Sequence, residues 1–374
     1  MPEYKPNPLN KAGIRSFNYP GHGERISEAL NLCHAQIIPA NAHQVHIVCQ
    51  LGNEEDSTFS DLFTRQIELA FASVEKALHA AGVTNGWQQC KDQLSRDQYE
   101  FLIANVVGVG GADMSSISYF NQLHRWALCG GREAVEYVNH NVRYKLKCGQ
   151  SGLARCLFDH SLETGNLAYS FSTPIRSINY SAASCVTANC TDGRVFSARK
   201  LICTVPLMLL KELVFVPQLP PLKAEGIAQG RQNIVRKVHI QAEGKKWRSW
   251  SASRVSWTGG KVSRDPRNID PIAQPARQVA ETENLHPDMK VKRMVTIDWE
   301  KDPYSKGGWA CHSPGYLTKY LTALQAPVGN LKFASGDYPD GWRGYIDGAI
   351  ESGMLAAKEA DDELRDGQTG LAKL

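Results

Sequence analysis

The residues best placed to do chemistry lie toward the C-terminal end. Gly336 and Asp337 follow a short strand-like segment, Leu331-Lys332-Phe333, and Gly344, Gly348 and Gly353 punctuate the segment after it. Glycines there let a backbone approach a flat ligand. A helix N-terminus also supplies N–H groups with no intrahelical partner, suited to a polar or anionic group. A helix packed closely on a sheet favours glycine equally, and the residues alone do not choose. A second cluster, Gly108-x-Gly110-Gly111, follows the apolar run Phe101–Val107. As a dinucleotide fingerprint it lacks the third glycine that lets helix and strand pack, because position 113 is Asp. A loop ahead of a helix over Met114–Leu128 accounts for it better. A third segment, 245–267, holds seven Lys/Arg against one acid, interleaved with Trp247, Trp250 and Trp257. Nucleic-acid bases stack on such rings, but a solvated basic loop explains so short a patch more simply. No nucleic-acid partner is expected.

The elements that must position these residues show in the periodicity. Residues 44–51 place Val45, Ile47, Cys49 and Leu51 on one side at period two, which predicts a half-buried strand. Thr58-x-x-Asp61 is a capping-box-like start. The helix it opens repeats Ile67, Phe71, Val74, Leu78 and Ala81 and closes at Gly82. From Asn166 the pattern changes to short strands. Asp192-Gly193 between Cys185–Cys190 and Val195–Ala198 predicts a hairpin. Leu201-Ile202-Cys203 reads as a short buried strand ended by Pro206, and residues 217–223 as a Pro-rich turn. Leu331–Phe333 reads as a strand, 335–340 as a loop, and Trp342–Leu364 as a helix.

Composition bounds the rest. At 374 residues, 42% hydrophobic and 21% charged, the chain can bury a real core, which argues against wholesale disorder. A net charge of +4 is too mild to imply a polyanionic partner. The longest strongly apolar run, Leu201–Leu210, falls well short of the ~20 residues of a membrane span. The ten cysteines form no CxxC and no metal-like cluster with histidine. They read as reduced thiols of an intracellular protein, with no metal site expected.

Longer stretches carry a resemblance. YKLKCGQSGLARCLF from Tyr144, LAYSFSTPIRSI, DGRVFSARKLICTVPL and FVPQLPPLKAEGI are similar to the flavin monoamine oxidases. So is the C-terminal run WEKDPYSKGGWACHSPGYLTKYL…LKFASGDYPDGWRGYIDGAIESGMLAA. The nearest likeness is to the soluble fungal MAO-N type, over about 97–250 and 290–360. Separately, ERISEALNLCHAQI…VHIVCQL and FTRQIELAFASVEKALHAAGVTNGW, over roughly 24–90, resemble the RidA (YjgF) family, which hydrolyses reactive enamines and imines.

The oxidase resemblance implies site residues. Trp309 and Tyr345 fall on the two aromatic positions of the family's cage beside the flavin, where electron-rich ring faces orient an amine. Lys237 matches the lysine that holds a water at the flavin's reactive nitrogen. Ile175 matches a residue whose backbone contacts the adenine. Gly336 and Asp337 match the loop after the last strand, and Ile346 the flavin-contacting helix start. Trp309 stands where covalently flavinylated members have a nearby cysteine, and Cys311 is offset, so the implied FAD is non-covalent. The family's N-terminal dinucleotide-binding segment is missing, and the RidA-like stretch stands in its place. Segment 251–285 departs from the family pattern, and the RidA-like stretch stops before the family's Pro-x-Arg strand, so the family's substrate-anchoring arginine has no counterpart.

The expected fold is mixed α/β. A partial RidA-like module over 1–93 precedes a partial amine oxidase over 97–374, comprising the substrate domain and the C-terminal FAD-contacting part. The implied chemistry is hydride transfer from an amine α-carbon to FAD, giving an imine, with oxygen reoxidising the flavin and forming peroxide. A RidA-like hydrolase, a non-catalytic descendant, or a truncated part of a longer fusion remain open. Expected partners are a small-molecule amine and, through the RidA resemblance, further copies of the chain. Without the phosphate-binding turn, the chain alone is expected to hold FAD poorly. The ending Ala372-Lys373-Leu374 is a variant of the Ser-Lys-Leu peroxisomal address.

Overall fold

The computed structural model describes residues 37–39, 46–48, 92, 106, 110–112, 114–128, 144–146, 149–233, 238–243, 250–252, 273–284 and 288–371. The helix expected over Thr58–Ala81, Lys237, most of 245–267 and Ala372–Leu374 lie outside these residues.

Twelve short strands and six helices make a mixed α/β arrangement among the described residues. In chain order they begin with β1 (Ile37–Pro39), β2 (His46–Val48), α1 (Tyr119–Leu128), β3 (Tyr144–Leu146) and α2 (Gly149–Glu163). Next come β4 (Ile175–Asn179), β5 (Val186–Cys190), β6 (Val195–Ala198), β7 (Leu201–Cys203), β8 (Val214–Val216) and α3 (Pro221–Gln229). The last are β9 (Val238–Ala242), β10 (Trp250–Ala252), α4 (Pro275–Glu283), β11 (Val291–Thr296), α5 (Tyr316–Gln325), β12 (Leu331–Phe333) and α6 (Ile346–Leu371). The N-terminal strands pair with later chain, β1 antiparallel to β3 and β2 parallel to β10.

The main sheet has the order β6-β5-β4-β8. The hairpin expected at Asp192-Gly193 joins β5 to β6, with Gly193 at φ +87°. β5 alternates buried and half-buried residues, and its apolar side, with Val186 fully buried, meets a core of Ile178, Leu207, Leu210, Tyr320 and Leu331. β12 pairs in parallel with β7, and all three of its residues are buried. Lys332 is among them. Its Nζ reaches Glu363 at 2.6 Å and Glu359 at 3.3 Å, which clamps α6 across the strand that leads into the glycine loop.

Three element boundaries differ from the sequence expectation. α6 begins at Ile346, not Trp342, because Gly344 turns left-handed at φ +82° and donates its N–H to Gly336 O at 2.7 Å. The stretch from Met114 opens as a 3₁₀ turn, and α1 starts only after Ser118, whose Oγ accepts the Asn121 N–H at 3.2 Å. The Pro-rich turn ends early, since Pro221 occupies the first turn of α3, where its missing N–H costs nothing.

Candidate active site

The loop between β12 and α6 is held by one carboxylate. Asp337 Oδ2 accepts the Leu207 N–H at 2.8 Å and the Ser335 hydroxyl at 2.9 Å, and Oδ1 accepts the Ala310 N–H at 3.3 Å. Asp337 therefore joins three segments, and one of its partners is the residue after Trp309. Trp309 is fixed from the other side as well. Its carbonyl accepts the Asn233 N–H at 2.9 Å, and Gly308 N–H returns to Asn233 O at 3.1 Å. The Trp309 indole lies over Gly344, where an added Cβ would stand 3.4 Å from Cδ1. The next residue, Tyr345, meets the fully buried Trp342 edge-on, with centroids 5.4 Å apart at 84°.

Arg343 braces this corner. It donates to Pro339 O at 2.8 Å, to Asp340 O at 3.2 Å and to Asn121 Oδ1 on α1 at 3.2 Å. Two buried imidazoles stand near it. Burial first, and the Arg343 charge second, push His312 and His124 each down to about 3, so both are neutral at physiological pH. His312 Nε2 also lies 2.9 Å from Asp337 O.

Beside Trp309 opens a cleft of about 350 Å³, lined by His239, Val295, Thr296, Ile297, Trp299, Gly307, Gly308 and Trp309. Its wall is the β9–β11 pair, in which Val238 faces Thr296 and His239 faces Val295. Val295, Ile297 and Trp299 keep 44%, 53% and 42% of their surface exposed, so much of the wall is apolar and open. Thr296 Oγ1 is buried with no hydrogen-bond partner.

The structure thus gathers Trp309, Gly336, Asp337, Tyr345 and Ile346 around one loop. Ile175 sits elsewhere, at the start of β4 and against the sheet core. Lys237 lies outside the described residues, although the residue after it, Val238, pairs with Thr296 of the cleft. His239, Thr296, Ile297 and Trp299 were not singled out from sequence. The β-branched residues Val291, Val295 and Thr296 were a usable strand signal, but nothing in one chain says which strand faces a cleft.

The glycines sort by what fills their space. A Cβ on Gly348 would stand 2.2 Å from Trp342 O and 2.7 Å from Pro339 Cγ, so this glycine serves close packing of α6. One on Gly110 would stand 2.4 Å from Ile117 Cδ1, so the loop ahead of α1 is packed as well. The first turn of α6 carries Asp347, which is fully buried, and an acid there opposes an anionic ligand. The cleft is different. An aromatic and glycine wall with an unmet hydroxyl beside it fits the flat ring end of a flavin, and the phosphate end finds no equivalent seat among the described residues. Among them, too, no His/Cys/Asp/Glu group is arranged to hold a metal, and no helix is long and apolar enough to cross a membrane.

This mixed α/β architecture is that of the flavin-dependent amine oxidases. Cyclohexylamine oxidase from Brevibacterium oxydans IH-35A superposes with a TM-score of 0.71 at 16% identity, covering 94% of this chain and 88% of that one. Putrescine oxidase superposes at 0.69 and 14% identity, covering 96% and 86%. The family of flavin containing amine oxidoreductases matches residues 83–279 and 276–360, and the chain belongs to it. That family implies FAD as the cofactor. Pseudooxynicotine dehydrogenase of a Pseudomonas species is 27% identical over 293 residues, which is 74% of this chain and 57% of the relative. The chain spans about half the length of the curated relatives it matches.

Proposed function

We propose that this chain carries the amine-binding and ring-binding part of a flavin-dependent amine oxidase, which converts an amine to an imine. The observation that carries this is the seating of Trp309 against Gly344 beside Tyr345, at the mouth of an apolar cleft. A bound flavin supplies the two-electron oxidation that no side chain here can perform. The chain's own residues do the rest. Trp309 and Tyr345 present ring faces that orient the amine, Gly336 lets the loop lie close against Tyr345 O and Ala349 of α6, and Ile346 opens the helix beside the ring. Asp337 acts by holding Leu207 and Ala310 in register. Lys237 is assigned the water beside the ring and Ile175 the adenine edge, both on resemblance to the family.

Two finer assignments belong here. Residues 24–90 are proposed to derive from an imine-hydrolysing RidA-type module, whose substrate is the oxidase product, and the oxidase part from the fungal MAO-N type. Peroxisomal delivery through Ala372-Lys373-Leu374 rests on that tripeptide alone. A fluorescent fusion that still reaches peroxisomes without Leu374 overturns it.

The test of the oxidase function is flavin binding and peroxide release from ring amines. It is run on the chain by itself and on the chain preceded by a relative's dinucleotide-binding segment. The chain alone is expected to be nearly colourless, because several charge-assisted phosphate bonds at ~1.5–3 kcal/mol each are not offered by the described residues. The extended chain is expected to be yellow and active, with Trp309→Ala or Tyr345→Ala lowering turnover more than flavin content. A chain colourless and inactive in both forms overturns the proposal.

A further inference from the structure

We propose that His312 is a positioning residue of this site, a tie that sets the spacing between the strand carrying Trp309 and the loop carrying Tyr345. It rests on the amine-oxidising function above and adds a residue to it. The two rings reach the site on different segments. Along one edge, residues 308–311 are laddered to residues 231–233. Gly308 N–H donates to Asn233 O at 3.1 Å, Asn233 N–H to Trp309 O at 2.9 Å, and Cys311 N–H to Arg231 O at 2.8 Å. These bonds fix the course of the strand but not its distance from the glycine loop. Toward that loop point the Ala310 N–H and the His312 ring, and both end on Asp337. The Ala310 bond is long, at 3.3 Å, and one long bond defines a distance loosely. His312 supplies the shorter one.

The His312 bond has a direction. A carbonyl oxygen accepts and never donates, so Nε2, 2.9 Å from Asp337 O, carries a proton. The ring is kept from swinging away. It is buried, it stacks on Tyr316 of α5 with centroids 5.3 Å apart at 17°, and the His312 carbonyl accepts the Ser118 N–H at 2.8 Å. Tyr316 is itself held, its hydroxyl donating to Gly226 O at 2.5 Å. Arg343, on the same loop as Asp337, disfavours a second positive charge beside it, so the tie works with a neutral ring.

Trp309 reports on the tie without flavin or substrate. Its near-ultraviolet circular dichroism is the spectrum of a chain minus that of the same chain with Trp309→Phe, and a ring held in one orientation gives a distinct band. His312→Phe keeps a ring against Tyr316 and removes the donor, and it should lose most of that band. His312→Gln, whose amide nitrogen stands near the place of Nε2, should keep it. Tyr316→Phe is the control. It breaks the buried bond to Gly226 O and leaves the tie, so it should lose stability but not the band. In the dinucleotide-extended chain with FAD, His312→Phe should lower kcat for benzylamine roughly tenfold or more at unchanged flavin content, as a misplaced group does. His312→Gln should recover most of that loss. Should His312→Phe not fold, His312→Asn, too short to reach Asp337 O, takes its place. No Trp309 band in the parent chain, a band that survives in His312→Phe, or one lost equally in Tyr316→Phe overturns the inference. A band that behaves as expected, in a parent whose extended form oxidises no amine, defeats the oxidase function and leaves the tie standing. Amine oxidation that His312→Phe does not slow defeats the tie alone.

Discussion

The glycine loop at 335–346 and the β9–β11 wall border the same site and are held in opposite ways. The loop is fixed by side chains. Asp337 reaches two distant backbone N–H groups, Arg343 ties two loop carbonyls to α1, and Trp342 is fully buried beneath Tyr345. Among the described residues the wall is a two-stranded pair, tied to α4 where Glu283 Oε1 accepts the Val291 N–H at 2.8 Å, with a register shift between Val291 and Arg293 and with large apolar side chains left open. The loop is therefore rigid where a ring must be seated, and the wall is adaptable where substrates differ. Geometry for a fixed reaction needs cross-links that each fix several segments, whereas a recognition surface needs only a backbone ladder that displays side chains.

The largest expected effect breaks the loop side. Asp337→Ala leaves the Leu207 and Ala310 N–H groups unmet, at a cost of about 4 kcal/mol by the usual worth of bonds to a charged acceptor. It should lower the unfolding free energy by that amount, read as a drop in the midpoint of chemical unfolding, and Asp337→Asn, which keeps one acceptor oxygen, should lose less. If the two variants unfold alike, the charge does not hold the loop. Gly348→Ala comes next. Its methyl would stand 2.2 Å from a backbone oxygen that cannot move without shifting Trp342, and overpacking of this kind costs about 3 kcal/mol. Gly353→Ala, with open space around it, is the control and should be neutral or slightly stabilising.

The third effect is pH dependence. Native His312 and His124 hold pKa values near 3, whereas the unfolded residues titrate near 6.5. Between those values the unfolded chain binds more protons, so stability is full above about 6.5 and falls as pH drops toward 3. At pH 5 the loss is about 2 kcal/mol for each histidine. His312→Gln should flatten the slope measured between pH 7 and about pH 5, and an unchanged slope would mean the imidazole is already charged when native. The smallest effect lies on the wall. Thr296→Val removes a hydroxyl that has no partner, so it should change stability by less than about 1 kcal/mol, and in the favourable direction. A clear loss there would show that the Thr296 hydroxyl is met in the native state.

Local order was legible in the chain. Asp192-Gly193 announced its hairpin because a glycine at positive φ between alternating strands admits few alternatives. The short segments Leu201–Cys203 and Leu331–Phe333 read as strands because little else buries three residues between turn signals. The family resemblance, not residue type, pointed to Trp309, Gly336, Asp337 and Tyr345, and these four lie around one loop. What each does was not legible. Asp337 looked like a ligand contact, and its carboxylate is turned onto two backbone N–H groups more than a hundred and about twenty-five positions away, at separations of 130 and 27 residues. The helix seemed to begin at Trp342, yet a long-range bond from Gly344 to Gly336 delays it to Ile346.

Sequence by itself determined the short-period features: which residues alternate, where glycine frees the backbone, and that the chain has the apolar content for a core. Only the tertiary structure decided that His239, Thr296 and Trp299 share a cleft with Trp309, and that Gly348 is filled by Trp342 and Pro339. The physical reason is range. Periodicity and turn preference act over a few bonds, so they are written in neighbouring residues, whereas a cleft is the space left where segments distant in the chain pack without filling it.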